Sequence, residues 1–378
     1  MTDEIKKKIL VIFTGGTIGS TIKDNIIDLK HTSNIDIIHN YTAIVGKSFE
    51  SINSIFEFSS PINTLSENLV QSDWNLLIND IVKLDLSRYS GIIVNHGTDT
   101  LPYTSAMLSF VFNDIDIPIV LVSSNYPLDV VGSNGVENFV NAVDFINTTS
   151  ISGVFTSYKN NKEEAKIHLG SRLLEATPFT DNFRSQKDTF LGIMKDGNFI
   201  FNENNKYVPK NFNCINERQR HSLNNISFSS EVMLIKPYVG LDYRLFNFSK
   251  HKPKAILHSL YHSGTACTKH NNSKHSILEF IKRCDDQGID FYVTPLSKSK
   301  DSMYVTSEEL LKNNVQTLED MTVEASIVKL SIAYGTFKDS YKAKSFLQRE
   351  LFFEFIKNDT WYYITFTYKT FWYFILYK

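Results

Sequence analysis

Two threonine-containing turns carry the residue types in this chain that are best suited to chemistry. They read Thr14-Gly15-Gly16-Thr17-Ile18 and His96-Gly97-Thr98-Asp99-Thr100. Glycine lets main-chain N–H groups approach an oxyanion, and a threonine alkoxide attacks a carbonyl once its proton is removed. A carboxylate beside a second threonine is suited to holding an ammonium group during proton transfer. Either turn alone also fits an ordinary helix start, but together they indicate a ligand site.

Each turn directly follows an apolar run that is typical of a buried parallel strand. These runs are Lys8-Ile9-Leu10-Val11-Ile12-Phe13 and Gly91-Ile92-Ile93-Val94-Asn95. Parallel strands that are buried on both faces read as near-continuous hydrophobic segments. In open α/β sheets, ligands bind at the carboxyl ends of the strands, so the pattern places both turns at that edge.

Strands and helices alternate along most of the chain, which predicts an α/β fold with a doubly wound, mostly parallel sheet and a smaller C-terminal α/β domain. The predicted strands are 8–13, 52–58, 91–95, 117–122, 152–155, 232–235, 255–258 and 290–294. The predicted helices are 73–84, 103–113, 136–146, 275–287, 307–312 and 322–333.

Changes in composition suggest four segments. Residues 1–190 are predicted as an N-terminal domain that carries the turns, and the Asn-rich residues 191–228 as a linker containing a hairpin. Residues 229–345 are predicted as the C-terminal domain and 346–378 as an extension. The aromatic end of that extension is interrupted by Lys369 and is short for a membrane span, which favours an aromatic tail packed on the domain or an irregular chain end.

Composition favours a small-molecule partner. The 378 residues are 42% hydrophobic and 21% charged, with a net charge of −2. That balance gives no field of one sign for nucleic acid or an anionic membrane, and neither partner is expected. The three cysteines are Cys214, Cys267 and Cys284, and the first residues run into a strand without the apolar stretch of a signal peptide. A reducing cytoplasm is therefore predicted.

Together, the two turns closely resemble those of the L-asparaginase family, and specifically of its cytoplasmic type. The resemblance extends over about residues 7 to 335. Further segments that resemble the family are Ser66-Glu67 ahead of Trp74, 119–127, 133–138, 288–294 and 320–330.

The resemblance implies hydrolysis of a side-chain amide through a covalent acyl-enzyme, with release of ammonia and without a metal or organic cofactor. By position, Thr17 would be the nucleophile and Thr98 the second catalytic hydroxyl, with Asp99 assigned to both catalysis and binding. Family members form homodimers or homotetramers in which one subunit completes the site of another. The remaining site residues implied by position bind substrate, and they are Gly16, Ser66, Glu67 and Gly97.

Two departures from the family concern groups that transfer protons. The loop 19–28 contains no tyrosine where the family carries one, and Lys23 or Asp28 are possible substitutes. In Arg172-Leu173-Leu174-Glu175, a carboxylate stands where the family has a lysine, unless Lys166 takes that place in a shifted register. Glu175 next to Thr98 would raise the cost of an alkoxide there. The sequence therefore predicts a divergent branch, with Glu175 as an uncertain member of the site.

A second group of residues invites a zinc interpretation. His258, His262, Cys267 and His270 are zinc-ligand types, but their spacing matches no closed structural site, so no metal is expected. The intervening Ser263-Gly264-Thr265 is either a loop that lines a neighbouring subunit's site or a packing turn.

The sequence thus predicts an amidohydrolase, with L-asparagine as the preferred substrate. One alternative is an amidase for glutamine, a D-amino acid or another amide. Another is a catalytically silent protein that binds an amino acid. Amidotransferase subunits that share this fold carry an additional N-terminal domain, whereas the first strand here begins at about Lys7, and RNA partnership is therefore not expected.

Overall fold

The computed structural model describes residues 7–23, 26–29, 33–46, 52, 54–269, 273–296, 303–313 and 315–356. The strands, in chain order, are β1 (Lys8–Phe13), β2 (Ser20–Lys23), β3 (Ile26–Leu29), β4 (Phe56–Ser59), β5 (Tyr89–Asn95), β6 (Pro118–Val122), β7 (Gly153–Tyr158), β8 (Ala165–Leu169), β9 (Gly192–Lys195), β10 (Asn198–Phe201), β11 (Val232–Ile235), β12 (Ala255–Ser259), β13 (Asp290–Thr294) and β14 (Gln316–Thr317). The helices are α1 (Ser33–Val45), α2 (Gln71–Val82), α3 (Leu101–Val111), α4 (Gly135–Thr148), α5 (Phe212–Asn216), α6 (Ile277–Asp286), α7 (Val305–Lys312), α8 (Val323–Thr336) and α9 (Ser340–Leu347).

The larger sheet has the strand order β10-β9-β8-β7-β6-β5-β1-β4. Strands β4, β1, β5, β6 and β7 run parallel, and β8, β9 and β10 extend the sheet with antiparallel pairings. Opposite Phe13 in the register lies Asn95, so β1 and β5 end at the same level. The two threonine turns therefore leave the sheet side by side.

The smaller sheet has the order β11-β12-β13-β14 and is parallel throughout. The structure is therefore a mixed α/β fold with a large, mostly parallel sheet and a second, smaller sheet. This confirms the predicted fold class. Short hairpin strands β2 and β3 form a separate antiparallel pair in the loop after the first turn.

The two sheets share a hydrophobic core. A single cluster of buried side chains contains Leu10 and Val94 from the large sheet and Leu257 and Tyr292 from the small one. Helices α3 and α8 pack against each other between the sheets, and most of their side chains are buried. Because burial of apolar surface drives folding, this common core fixes how the two halves of the chain sit together.

Residues 349–356, after α9, return to the large sheet and contact its turn at 170–172. The Arg172 guanidinium donates to the carbonyls of Phe353 and Phe355, and the Ser171 hydroxyl donates to the Phe352 carbonyl. We call residues 349–356 the C-terminal strap. It connects the end of the helical layer to the first half of the chain.

The segment predicted as a linker contains β9 and β10, which form the edge hairpin of the large sheet. The predicted domain boundaries remain predictions. The aromatic tail at 361–378 lies outside the described residues, and within the described part of the chain no helix is long and apolar enough to cross a membrane.

Candidate active site

The first turn is held against its neighbours by main-chain hydrogen bonds. The Thr14 N–H and hydroxyl both donate to the Asn95 carbonyl, at 3.2 and 2.9 Å. On the other side, Gly16 N donates to Thr64 O and Thr64 N donates to Thr14 O, each at 3.1 Å. The turn is thereby fixed between the end of β5 and the segment that leads to Ser66.

Three chain segments meet at the two turns. A Cβ atom on Gly16, which has φ +75°, would lie 2.3 Å from the Gly97 nitrogen, and a Cβ on Gly97 would lie 2.5 Å from the Ser66 Oγ. A side chain at position 16 or 97 would therefore overlap its neighbour, so both positions require glycine. Thr100 Oγ1 also donates to Ser66 O at 2.9 Å, which ties the second turn to the third segment. The structure therefore brings Gly16, Gly97 and Ser66 together.

The threonines Thr17 and Thr98 lie next to these contacts. Thr17 and Thr98 are both half-buried, and in the described part of the chain neither side chain makes a hydrogen bond. No backbone bond of the described residues is donated by the N–H of either threonine. Helix α3 begins at Leu101, so its positive dipole end lies beside Thr98. Hydroxyls, unpaired N–H groups and a helix start together suit a polarised carbonyl.

The binding groups predicted from sequence have different exposure. Ser66 is buried, whereas Glu67 and Asp99 are exposed. An exposed carboxylate at the rim of such a site is accessible to a charged group of a ligand.

The buried ring of His96 supports the second turn. Its ring Nδ1 lies 2.8 Å from Gly97 O and therefore carries the proton. The main-chain N–H of His96 donates to Val122 O at 2.9 Å. Burial lowers the pKa of His96 to about 4, so the imidazole is uncharged at neutral pH. A side chain in this state supports the turn rather than carrying charge into the site.

Asp181 is a carboxylate near the site that the sequence reasoning missed. Burial raises its pKa first, and the negative charge of Asp99 raises it further, which places the two carboxylates within electrostatic range. The loop that carries Asp181 is closed by the bond from Leu174 N to Arg184 O at 2.9 Å. No local pattern marks this residue in the sequence, because only the folded loop brings it to Asp99.

Glu175 contacts side chains from both halves of the chain. Tyr103 Oη donates to Glu175 Oε1, Lys236 Nζ lies 3.2 Å from Glu175 Oε2, and Glu175 N donates to Glu324 Oε1 at 2.9 Å. Lys236 and Glu324 were not anticipated as neighbours, since they come from the second half of the chain.

Three residues are candidates to replace the tyrosine and the lysine that the family carries and this chain lacks. Lys166 is in β8, 2.6 Å from Glu163, with its ammonium over the Phe190 ring. Asp28 is exposed on β3 and has an interaction partner. Lys23 ends β2, and its side chain lies outside the described residues.

The described members of the candidate zinc-ligand set do not form a metal site. His258 lies in β12, where its Nε2 is 2.9 Å from the Tyr243 hydroxyl, and burial lowers its pKa to about 4. His270 lies outside the described residues. Within the described ranges, no three His, Cys, Asp or Glu side chains are grouped so as to hold a metal ion. In the neighbouring loop, Gly264 O accepts a bond from Ser307 Oγ at 2.7 Å.

The fold and this geometry define an α/β protein with a hydroxyl-rich ligand site at the carboxyl edge of a parallel sheet. A family model described as "Asparaginase, N-terminal" matches residues 8–207, which include the three converging segments. The chain belongs to the asparaginase family, as the resemblance of its turns predicted.

Curated relatives are similar over most of their length. A glutamyl-tRNA(Gln) amidotransferase subunit of Saccharolobus solfataricus is 25% identical over 335 residues, covering 86% of this chain and 71% of the relative. The equivalent amidotransferase subunit of Methanobrevibacter smithii is 26% identical over 369 residues, covering 95% of this chain and 79% of the relative.

Solved structures of L-asparaginases share this fold. The enzyme of Thermococcus kodakarensis has a TM-score of 0.71 and 21% identity, covering 93% of this chain and 99% of that one. L-asparaginase I of Vibrio cholerae has a TM-score of 0.72 and 22% identity, with the same coverage. At this identity the likeness establishes the fold.

Proposed function

We propose that this protein hydrolyses the carboxamide of a small amino-acid amide, with Thr17 as nucleophile. The observation that carries the proposal is the packing of Gly16, Gly97 and Ser66 within contact distance, which gathers three predicted site segments around two half-buried threonines. Membership of the asparaginase family supports the same chemistry.

In the proposed reaction, Thr17 Oγ1 attacks the amide carbon as its proton leaves to a base, and the carbonyl oxygen becomes an oxyanion. The N–H groups of Thr17 and Thr98, which donate to no carbonyl in the described part of the chain, are suited to stabilise that charge. Collapse of the tetrahedral intermediate breaks the C–N bond, and the nitrogen leaves as ammonia after taking a proton. Water then cleaves the threonyl ester to give the acid.

Thr98 is assigned to proton transfer, and Ser66, Glu67 and Asp99 to the amino-acid end of the substrate. L-asparagine is the first candidate, in line with the names of the structural neighbours. Glutamine is the second, since the curated relatives are named for an amidotransferase of glutamyl-tRNA(Gln). We further propose a cytoplasmic homodimer or homotetramer that uses no metal or organic cofactor.

A second candidate function is suggested by the relatives being named as subunits. In that case this chain would release ammonia for a partner protein, and glutamine would be its substrate. Purification from the native cell distinguishes the two, because a partner protein would coelute with the chain in stoichiometric amount.

Ammonia release tests the proposed reaction. Purified protein is assayed with L-asparagine, L-glutamine and D-asparagine, beside Thr17→Ala and Thr98→Val. We expect each variant to lower kcat by about 10³-fold or more, since each removes a reacting hydroxyl. Thr148→Ala is the matched control, because Thr148 is exposed at the end of α4.

Equal turnover in Thr17→Ala and the unchanged protein would show that Thr17 is not the nucleophile. No turnover with any amide, together with a rise in Tm on adding asparagine or aspartate, would favour the silent amino-acid-binding alternative.

A further inference from the structure

The loop 173–185 borders the second threonine turn. Its residue Glu175 accepts a hydrogen bond from the Tyr103 hydroxyl, and Tyr103 lies in the first turn of α3, the helix that directly follows that turn. The loop also carries Asp181, which lies within electrostatic range of Asp99. The contacts that hold this loop therefore also define the surroundings of the second turn.

The second arm of the loop is anchored to the large sheet and its connections. Phe183 exchanges two hydrogen bonds with the side chain of Asn160, each at 2.9 Å. Ser185 Oγ lies 2.8 Å from Nδ1 of His168, which is in β8. Side-chain bonds to main-chain groups of this kind fix the course of a loop, so the second arm has its own supports.

The first arm begins directly after Arg172, whose side chain is anchored to the C-terminal strap. Arg172 is 3% exposed, and its guanidinium donates to the carbonyls of Phe353 and Phe355 in the strap and to that of Tyr207. The planar guanidinium presents its N–H donors in a fixed fork, so one side chain holds three carbonyls at once. The start of the loop thus depends on the docked strap.

The turn that contains Arg172 also lies against α3. A Cβ atom on Gly170 would be 2.5 Å from Ser109 Oγ and 3.0 Å from Ser105 O, and both serines are in this helix. Close-packed contacts transmit displacements because the interior has little free volume. A displacement of the turn would therefore also displace α3, which begins two residues after Asp99.

We propose that Arg172 is a positioning residue for the proposed active site, holding the loop 173–185 and the start of α3 so that Thr98 keeps its place in the second turn. The part played by Thr98 in the reaction rests on the proposed function. The connection between Arg172 and the second turn rests on the contacts described above, and it can be tested without turnover.

Hydrogen–deuterium exchange of the full chain, followed by mass spectrometry, tests this connection. We expect Arg172→Lys, which keeps the charge and loses the fork, to raise the exchange rate at least about fivefold in peptides from 98–104 and 173–185, because local opening becomes less costly. Peptides from β12 should exchange as in the unchanged protein. Arg244→Lys is the matched control, since Arg244 is exposed and pairs with Asp242.

Two results would overturn the connection. An equal increase in peptides from β12 would mean that Arg172 stabilises the whole fold without a particular effect on the site. An unchanged rate at 98–104 would mean that the second turn does not depend on Arg172. If Arg172→Lys does not fold, Ser171→Ala decides, because it removes the bond from Ser171 Oγ to Phe352 O, and the same peptides should respond.

A double-mutant cycle with Thr98 tests the role in the reaction. We expect Arg172→Lys to lower kcat at least about tenfold with a smaller change in KM, and to leave the residual kcat of Thr98→Val unchanged, because it acts through that hydroxyl. An equal loss in both backgrounds would refute positioning of Thr98.

The two experiments separate this inference from the proposed function. If no amide is hydrolysed although exchange at 98–104 responds to Arg172→Lys, the proposed function fails and the connection stands. If amides are hydrolysed and exchange at 98–104 does not respond, the connection fails and the proposed function stands.

Discussion

At the scale of single residues, the side chains of the site have different physical tasks. Thr17 and Thr98 are half-buried, and their hydroxyls make no hydrogen bond to the described residues, whereas the neighbouring His96 is buried and bonded to Gly97 O. Residue type alone does not show which of these side chains is available to react and which one supports the turn. His96 has the ring of a general base, but burial lowers its pKa to about 4 and makes it a weak one, and its bond to Gly97 O makes it a support for the second turn.

The buried histidines make stability depend on pH. His168 is 1% exposed, its Nδ1 lies 2.8 Å from Ser185 Oγ, and burial, followed by the charge of Lys166, lowers its pKa to about 3. Because the unfolded chain takes up the proton first, stability is complete above the unfolded value of 6.5 and falls as pH decreases below it.

We expect the free energy of unfolding in urea to fall by about 1 kcal/mol per buried histidine between pH 7 and 5.5. His168→Gln should remove one such contribution. His262→Gln serves as the control, since His262 is exposed. An unchanged pH dependence in His168→Gln would show that His168 does not stay neutral in the folded protein.

At the scale of elements, the site depends on two glycine turns that leave neighbouring parallel strands. The register that places Asn95 opposite Phe13 sets the turns at one level, and the bonds from Thr14 to Asn95 O fix their separation. The sequence predicted both strands and both turns. It gave no sign of how closely the turns approach, because that distance is set by strand pairing.

Gly16→Ala tests this close approach. The new methyl group would lie 2.3 Å from Gly97 N at a residue with φ +75°, so both strain and overlap are introduced. We expect a loss of about 2 kcal/mol or more in urea unfolding. Gly46→Ala is the control, because Gly46 has φ +65° but a Cβ there would meet no atom of the described residues within 4 Å. Equal losses in the two variants would argue against tight packing of the turns.

At the scale of the whole molecule, a buried ion pair holds the C-terminal strap. Lys329 Nζ lies 2.6 Å from Glu354 Oε1, with both side chains fully buried, and also donates to Arg349 O at 2.6 Å. The Glu354 carboxylate accepts in turn from the N–H groups of Leu351 and Phe352. Each group supplies the opposite charge that lies against the other in the buried interior.

Removing one partner leaves the other charge buried and uncompensated. We therefore expect Lys329→Met to lower the free energy of unfolding by about 3–5 kcal/mol, and Glu354→Gln to be destabilising as well. The control is Lys312→Met, which removes an exposed pair with Glu308 and should change stability by less than about 1 kcal/mol. A loss as small as that in Lys329→Met would mean that the pair contributes little to docking the strap.

The sequence by itself determined the alternation of strands and helices, the two turns at strand ends and the family to which they belong. These features are local, because hydrophobic periodicity and glycine positions are read within a few residues. The edge hairpin at 192–201 was expected only as part of a linker, since its strands are short and take their stability from pairing with β8.

Only the tertiary structure decided which charges meet. The contacts of Glu175 with Tyr103, Lys236 and Glu324 join residues far apart in the chain, as does the approach of Asp181 to Asp99. Electrostatic interactions depend on distance and burial in space, and a linear sequence specifies neither.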